Sequence, residues 1–340
     1  MWVFFLYINL CSHLMMLGGG QLKKISIKTK ACNKTFDEGF EQFVMEHIRL
    51  KNLRESTEKH YREIVKYSFY KFYDKDTLLE ELEQKDIDDY IFWLQEKEIK
   101  DSTINIHLKG LKTIIRFFVS KGWIDSSIKV SLIKANIEDV EAYTDDEIEV
   151  LLKKPNMKQC TFAEYRNWVI VNFFCNTGCR RMTLINIFIE DLDLENGYCK
   201  FRHTKNRKPL TVPITPTMCT ILKEYIECLP HDCRLLFPNI LGQQLKPRGL
   251  TKALEDYNHS RGIKRTGIHK FRHWFAKKSV LLGVNLVQLQ HILGHSNLEI
   301  LKNYVTLLTR DLKYQDISLN PLENLKIQNR KLKSIKLRGK

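Results

Sequence analysis

A chain of 340 residues is long enough for two ordinary domains. With 43% hydrophobic and 28% charged residues it is neither disordered nor fibrous, and the composition fits a soluble globular protein. The net charge of +15 points to an acidic partner, and nucleic acid comes first because counterion release rewards spread-out Lys and Arg.

Residues 2–17 (WVFFLYINLCSHLMML) are apolar and carry no Lys or Arg. The run is short for a membrane span and includes Asn9, Ser12 and His13. It also lacks the basic start of a signal peptide. Gly18–Gly20 can be the translation of a purine-rich ribosome-binding sequence, so residues 1–35 read as an N-terminal extension within which the true start is expected at Met15, Met16 or near Leu22.

Residues 36–125 read as a small all-helical domain. Tyr61, Ile64, Val65, Ser68 and Phe72 share one face of a helix that Ser56 is placed to cap. Ile87, Ile91 and Leu94 mark a second stripe, widened by Phe92 and Trp93. Ser102 is expected to cap a third helix, where Ile104, Leu108, Leu111, Ile115 and Phe118 recur every three or four residues. The opposite faces carry Lys59, Arg62, Lys66, Lys109, Lys112 and Arg116, a set suited to DNA phosphates or simply to solvent. Residues 126–143 lack long periodicity and read as a linker, with a polar run from Asn136 to Asp146.

A second domain, 144–310, opens near Thr144, where Asp145, Asp146 and Glu147 suit the positive end of a helix. The apolar helix around Trp168–Cys175 breaks at Thr177-Gly178, a C-cap signal. Nine cysteines are scattered without a C-x-x-C pair or Cys/His ligand spacing, which predicts reduced thiols, no zinc site and a cytoplasmic protein. Cys175 and Cys179 read as packing residues of that apolar run.

Tyr198–Arg202 alternates like a strand, residues 204–208 form a polar turn, and Leu210–Pro213 is the returning strand. This hairpin carries Lys205, Arg207 and Lys208, which would touch phosphate on the simplest reading. Helices are expected over 215–229, started by Thr215-Pro216, and over 247–261. The next stretch, 268–304, places His269 and Arg272 three residues apart on one helical face, then His295 in a Leu-Gly-His turn, then Tyr304 nine residues on. A guanidinium grips phosphate oxygens bidentately, imidazoles move protons near neutral pH, and a phenol can serve as nucleophile. Residues 311–340 form a basic tail, with seven Lys or Arg and one Glu over 321–340.

The elements H-x-x-R-H (269–273), L-G-H-S (293–296) and N-Y (303–304) resemble the tyrosine recombinases, the phage-type integrases and Xer-like enzymes. Thr177, Gly178, Arg180 and Leu184 match that family's T-G-x-R-x-x-E-L box, and 102–118 looks like the end of its core-binding domain. Thr183 stands where the family usually has a carboxylate, and Trp274 where it usually has a small hydroxyl residue. The resemblance implies a mainly α fold with a small β-hairpin: a helical, SAM-like core-binding domain followed by a catalytic domain. It implies a pocket of Arg180, Lys205, His269, Arg272, His295 and the nucleophile Tyr304, working without cofactor, ATP or metal. It further implies double-stranded DNA as partner and four protomers on two DNA sites, with no membrane. The tail is expected to donate a terminal helix to a neighbouring protomer. The same chemistry serves type IB topoisomerases, but size and two-domain layout favour a recombinase. A catalytically impaired DNA-binding relative is the other alternative, against which stands retention of all six chemical residues. A metal nuclease fits poorly, since no Asp/Glu cluster has ligand spacing.

Overall fold

The computed structural model describes residues 33–135, 141–204 and 207–294. The expectations for the first 32 residues and for the tail lie outside these. The chain divides into two compact units, Met1–Glu138 and Asp139–Lys340. Together they are mainly helical with one small antiparallel sheet, the fold class expected.

In the first unit, helix α1 (Phe36–Phe43) opens with a capping box: the Thr35 hydroxyl accepts from the Glu38 N–H, and Glu38 accepts from the Thr35 N–H. It runs on into a π-helical turn, Val44–Arg49. Next come α2 (Glu55–Tyr67), α3 (Gln84–Gln95) and the long α4 (Asp101–Lys121), which stops at Gly122 in the left-handed region, φ +72°. Phe36, Phe40, Phe43, Phe69 and Phe118 are fully buried at the centre. Phe36 meets Phe118 edge-on with ring centroids 5.4 Å apart. The three expected stripes reach this core, with Val65, Ile87, Leu94, Ile104, Leu108, Leu111 and Ile115 buried in it, but Phe92, read as widening the second stripe, is exposed.

Two expected caps are displaced. Arg54 and Lys100 occupy the cap positions, with Ser56 and Ser102 already inside their helices, and no side chain caps either end. Phe72 lies beyond α2, after a 3₁₀ turn at Phe69–Lys71. Ser68 is buried by hydrogen-bonding Tyr90 at 2.9 Å. The stretch read as linker is tied down at both ends. Asn105 exchanges hydrogen bonds with the Ile133 backbone in the first unit, where Ile128 and Val130 are buried. Tyr143 is buried in the second unit and receives a hydrogen bond from Asn258.

The second unit is built on α6 (Phe162–Thr177), buried on nearly every side, as expected of a helix without a clear polar face. Helix α5 (Asp145–Leu152) packs on it behind a capping box at Thr144. After a single turn, α7 (Arg181–Leu184), strands β1 (Leu192–Asp193), β2 (Tyr198–Phe201) and β3 (Leu210–Pro213) form a sheet in that order. Cys199 pairs with Val212 and both point inward, while Tyr198 and Lys200 face out. The two-residue strand β1 is too short to show an alternation. Helices α8 (Pro216–Ile226) and α9 (Pro247–Ser260) also pack on α6. So does α10 (Ile268–Leu281), which α11 (Leu286–Leu293) follows. No helix among the described residues is long and apolar enough to cross a membrane.

An ion-pair chain links the first helices. Arg62 donates to both Glu41 oxygens at 2.6 and 2.9 Å and to Glu58 at 3.0 Å, and Arg49 donates to Glu58 at 2.8 Å. The hydrogen bond from Arg49 lowers the Glu58 carboxyl from 4.5 to about 2, with Arg62 adding to it against a smaller cost of burial. A depressed carboxylate adds stability above its ordinary pKa, and the contribution fades as pH falls from there through the folded value. We expect Glu58→Gln to lower the urea midpoint at pH 7 and to flatten the loss of stability between pH 4.5 and 2. Equal pH slopes for the variant and the parent would contradict this.

Candidate active site

Two glycine-capped helix ends meet two arginines. Helix α6 ends at Gly178 with φ +58°, and α11 ends at Gly294 with φ +61°, both in the left-handed region where a Cβ is costly. The Gly178 carbonyl accepts from Arg272 Nη1 at 2.7 Å, and the Leu293 carbonyl accepts from Arg272 Nη2 at 2.7 Å. The Gly294 carbonyl accepts from Arg180 Nη2 at 3.2 Å. Arg180 is the residue just before α7, and Arg272 lies one turn into α10. Arg272 is only 6% exposed, whereas Arg180 is half-buried, which lowers the pKa of its guanidinium. Each therefore has its polar head held in place by backbone carbonyls.

Both arginines line a cavity of about 420 Å³. Its described wall includes Thr183, Thr204 and Lys208 from the α7 and hairpin side and Gln290 and His291 from α11, with no Asp or Glu among them. The structure thus brings Arg180, Arg272 and Lys208 together. Lys205, His295 and Tyr304 lie outside the described residues. Arg207 is exposed in the turn with φ +57°. The α11 side was missed from sequence, although Val287, Gln290, His291 and Gly294 follow the i, i+3, i+4, i+7 rule for one helical face.

His269 stands in the first turn of α10 with its side chain open to solvent. Its pKa is lowered, first by the protein that displaces water around the ring and then by the charges of Arg181, Arg272 and Arg180. His273, one turn on, falls to about 4 through burial, with His269 and Arg272 adding to the effect. Both imidazoles are accordingly neutral at neutral pH. Arg181 itself bonds the Thr251 hydroxyl at 3.0 Å.

Thr183 is buried and donates to the His203 carbonyl at 3.1 Å. Trp274 donates through Nε1 to Asp145 at 2.9 Å and so ties α10 to the first turn of α5, a packing role. Cys175 lies in α6, but Cys179 falls beyond the helix, past Gly178. Burial raises both thiols, that of Cys179 to about 12, which leaves them as packing groups.

In the first unit Lys59, Lys109 and Arg116 are exposed and Lys112 is half-buried. Arg62 and Lys66 are engaged with Glu41, so much of their charge is answered inside the protein.

The model of the phage integrase family matches residues 141–310, half of the chain, and that of the phage integrase N-terminal SAM-like domain matches 40–125. The chain belongs to the phage integrase family. The tyrosine recombinase XerA of Pyrococcus furiosus is 28% identical over 236 residues, which span 68% of this chain and 79% of that protein. The tyrosine recombinase XerC of Staphylococcus epidermidis is 26% identical over 284 residues, 80% of this chain and 93% of that one. In fold, this integrase-family chain is similar to the Tn1549 transposon integrase in complex with transposon right end DNA. That pair has a TM-score of 0.66 at 17% identity, covering 80% of this chain and 94% of that one. A lambda integrase dimer bound to a COC′ core site gives a TM-score of 0.61 at 15% identity, with 78% and 97% covered. As a tyrosine recombinase by family, the chain is an enzyme of the class that cuts and rejoins DNA.

A Cβ at position 178 would stand 2.5 Å from Phe275 Cδ1 and 2.9 Å from Leu293 Cδ2, on a backbone already left-handed. Gly178→Ala is therefore expected to cost about 2–4 kcal/mol from strain and overpacking. Denaturant unfolding followed by circular dichroism measures this, and a change within error would refute the stated role of the glycine.

Proposed function

We propose that this enzyme is a site-specific recombinase that opens one DNA strand through a 3′-phosphotyrosyl link and reseals it to a new partner. The observation that carries the reading is the pair of guanidiniums, Arg180 and Arg272, fixed by helix-end carbonyls at one cavity without a carboxylate in its described wall. Such a site favours a group with negative oxygens, and favours it more as charge builds in a five-coordinate phosphorus.

On this reading the Tyr304 oxygen attacks the scissile phosphorus, and the bond from phosphorus to the 5′ oxygen breaks. The phenol proton passes to His269, and Lys205 protonates the departing 5′ oxygen. Arg180 and Arg272 hold the non-bridging oxygens, and His295 hydrogen-bonds the phosphate. A 5′-hydroxyl from a second duplex then attacks the phosphotyrosine, displaces Tyr304 and takes over the strand. The bond energy is kept throughout, so this sequence of steps draws on neither ATP nor a metal. His269 suits the task of base because its lowered pKa leaves it unprotonated at neutral pH.

Double-stranded DNA is the proposed partner, held by Arg207 and Lys208 in the catalytic half. Lys59, Lys109, Lys112 and Arg116 would hold it in the first unit, together with what charge Arg62 and Lys66 have to spare. DNA-bound transposon and lambda integrases among the structures of similar fold support this and support a role in moving a mobile element. Four protomers on two sites, in the cytoplasm, complete the proposal.

The decisive test incubates the protein with fragmented host DNA, denatures it, and sequences the DNA that stays attached. A covalent adduct at a narrow set of sites is expected, absent in Tyr304→Phe. Arg272→Ala should reduce adduct formation by about 10²-fold or more. Salt-sensitive binding with no adduct for the parent protein would count against the catalytic assignment.

With the trapped site as substrate, single-turnover cleavage should hold its rate down to a pH below the ordinary histidine value of 6.5 before it falls. The sign follows from the lowered pKa: the base form of His269 persists to lower pH. That acid limb should vanish in His269→Gln, and an unchanged limb would remove His269 as the base.

A further inference from the structure

Helical threonines in this chain usually satisfy their hydroxyls one turn back. Thr113 donates to Lys109, Thr177 to Phe173, Thr220 to Pro216 and Thr251 to Pro247, each to a backbone carbonyl four residues earlier. Thr183 does not. It holds the third position of the four-residue helix α7, so no carbonyl of that helix lies one turn behind it. Its hydroxyl reaches twenty residues along the chain to the His203 carbonyl at 3.1 Å.

The two ends of that bond belong to different walls of one cavity. On one side the Thr183 N–H donates to the Arg180 carbonyl at 2.9 Å, so threonine and arginine share a single hydrogen-bonded turn. On the other side His203 leads into the β2–β3 turn. There the Thr204 hydroxyl donates to the Lys208 carbonyl at 2.7 Å and the Arg207 N–H donates to the Thr204 carbonyl at 3.2 Å. Thr183, Thr204 and Lys208 all line the cavity with Arg180 and Arg272. Thr183 is 5% exposed, so water does not readily replace its hydroxyl as donor to His203.

We propose that Thr183 is a positioning residue for strand cleavage: its hydroxyl ties the turn bearing Arg180 to the β2–β3 turn and sets where Arg207 and Lys208 stand against the two arginines. A hydroxyl can do this because it donates. An ionised carboxylate at the same position could only accept, and would face the His203 carbonyl with a second acceptor. The consequence for cleavage rests on the recombinase function proposed above, but the tie itself does not.

Two measurements separate these claims. The first is amide hydrogen exchange in the full-length protein. Thr183→Val should speed exchange at Arg207, whose N–H is held by the Thr204 carbonyl, by about tenfold and leave α6 and α10 unchanged, and Thr183→Ser should restore protection. Thr183→Glu should behave like Val or worse. Unchanged exchange in the turn, or faster exchange throughout the domain, would overturn the tie whatever the chain catalyses.

The second uses the duplex identified by adduct trapping. Thr183→Val should slow cleavage by about tenfold or more with DNA affinity kept, since the proposed acid Lys205 follows the tied His203 by two residues in the chain and a displaced acid donates its proton poorly. On the same duplex with sulfur as the 5′ bridging atom, the P–S bond breaks to a thiolate that needs no proton. There the deficit should shrink to about twofold. Equal deficits on both duplexes would overturn the claim that Thr183 acts through the turn's basic residues. Absence of any adduct with the parent protein would tell against the recombinase reading, and the exchange result would still decide the tie.

Discussion

A buried guanidinium held by helix-end carbonyls is the constraint on which the catalytic unit depends. Taking Arg272 out of water costs several kcal/mol unless its N–H groups are met, and they are met by the Gly178 and Leu293 carbonyls. Those carbonyls are helix C-terminal groups, where orphan acceptors and the negative end of the dipole coincide. Arg272 therefore does for α6 and α11 what a capping side chain does, and the helices do for Arg272 what a counter-ion would do. Arg180 repeats the arrangement with Gly294. These carbonyls are neutral and the described wall of the cavity adds no Asp or Glu, so the cavity attracts an anion.

The same constraint explains which glycines matter. A helix that simply stopped would leave its last carbonyls pointing along its own axis into solvent. The left-handed turns at Gly178 and Gly294 stop their helices at the point where an arginine of another segment can reach them. Packing leaves no alternative at Gly178, since Phe275 and Leu293 occupy the space that a side chain would need. Backbone conformation, helix termination and the placement of positive charge are thus one feature.

That coupling also marks how far the sequence could be read. Helix periodicity exposed the stripes of α2, α3 and α4, and Thr177-Gly178 announced the end of α6, because these signals are local. Asp145, Asp146 and Glu147 marked the start of α5 for the same reason. Ser56 and Ser102 misled, since a serine near a helix start is equally at home one or two residues inside it. Arg180 and Arg272 stood out by motif, yet nothing local says that Arg180 would bind the end of α11 and Arg272 the ends of α6 and α11. The basic faces show the limit most clearly. Arg62 looks like a surface cation on a helical wheel, but Glu41, twenty-one residues away, claims it. Pairing of that kind is a property of tertiary contact, invisible to periodicity.

The histidines are set first by the protein that displaces water around their rings. They also sit one turn apart on α10 beside arginines, so protonating either adds a cation to a field already positive, and both are neutral. On the proposed chemistry this is an ordering device. The empty site holds a base in its unprotonated form, while an arriving phosphate brings negative charge that offsets the arginines. Proton affinity at His269 then rises as the phosphorus becomes five-coordinate, the moment at which the phenol must lose its proton. The field that recruits the phosphate thus adds to burial in keeping the base ready, and its cancellation by substrate favours the transfer. A carboxylate salt-bridged to either arginine would weaken both effects at once, and none is present in the described wall of the cavity.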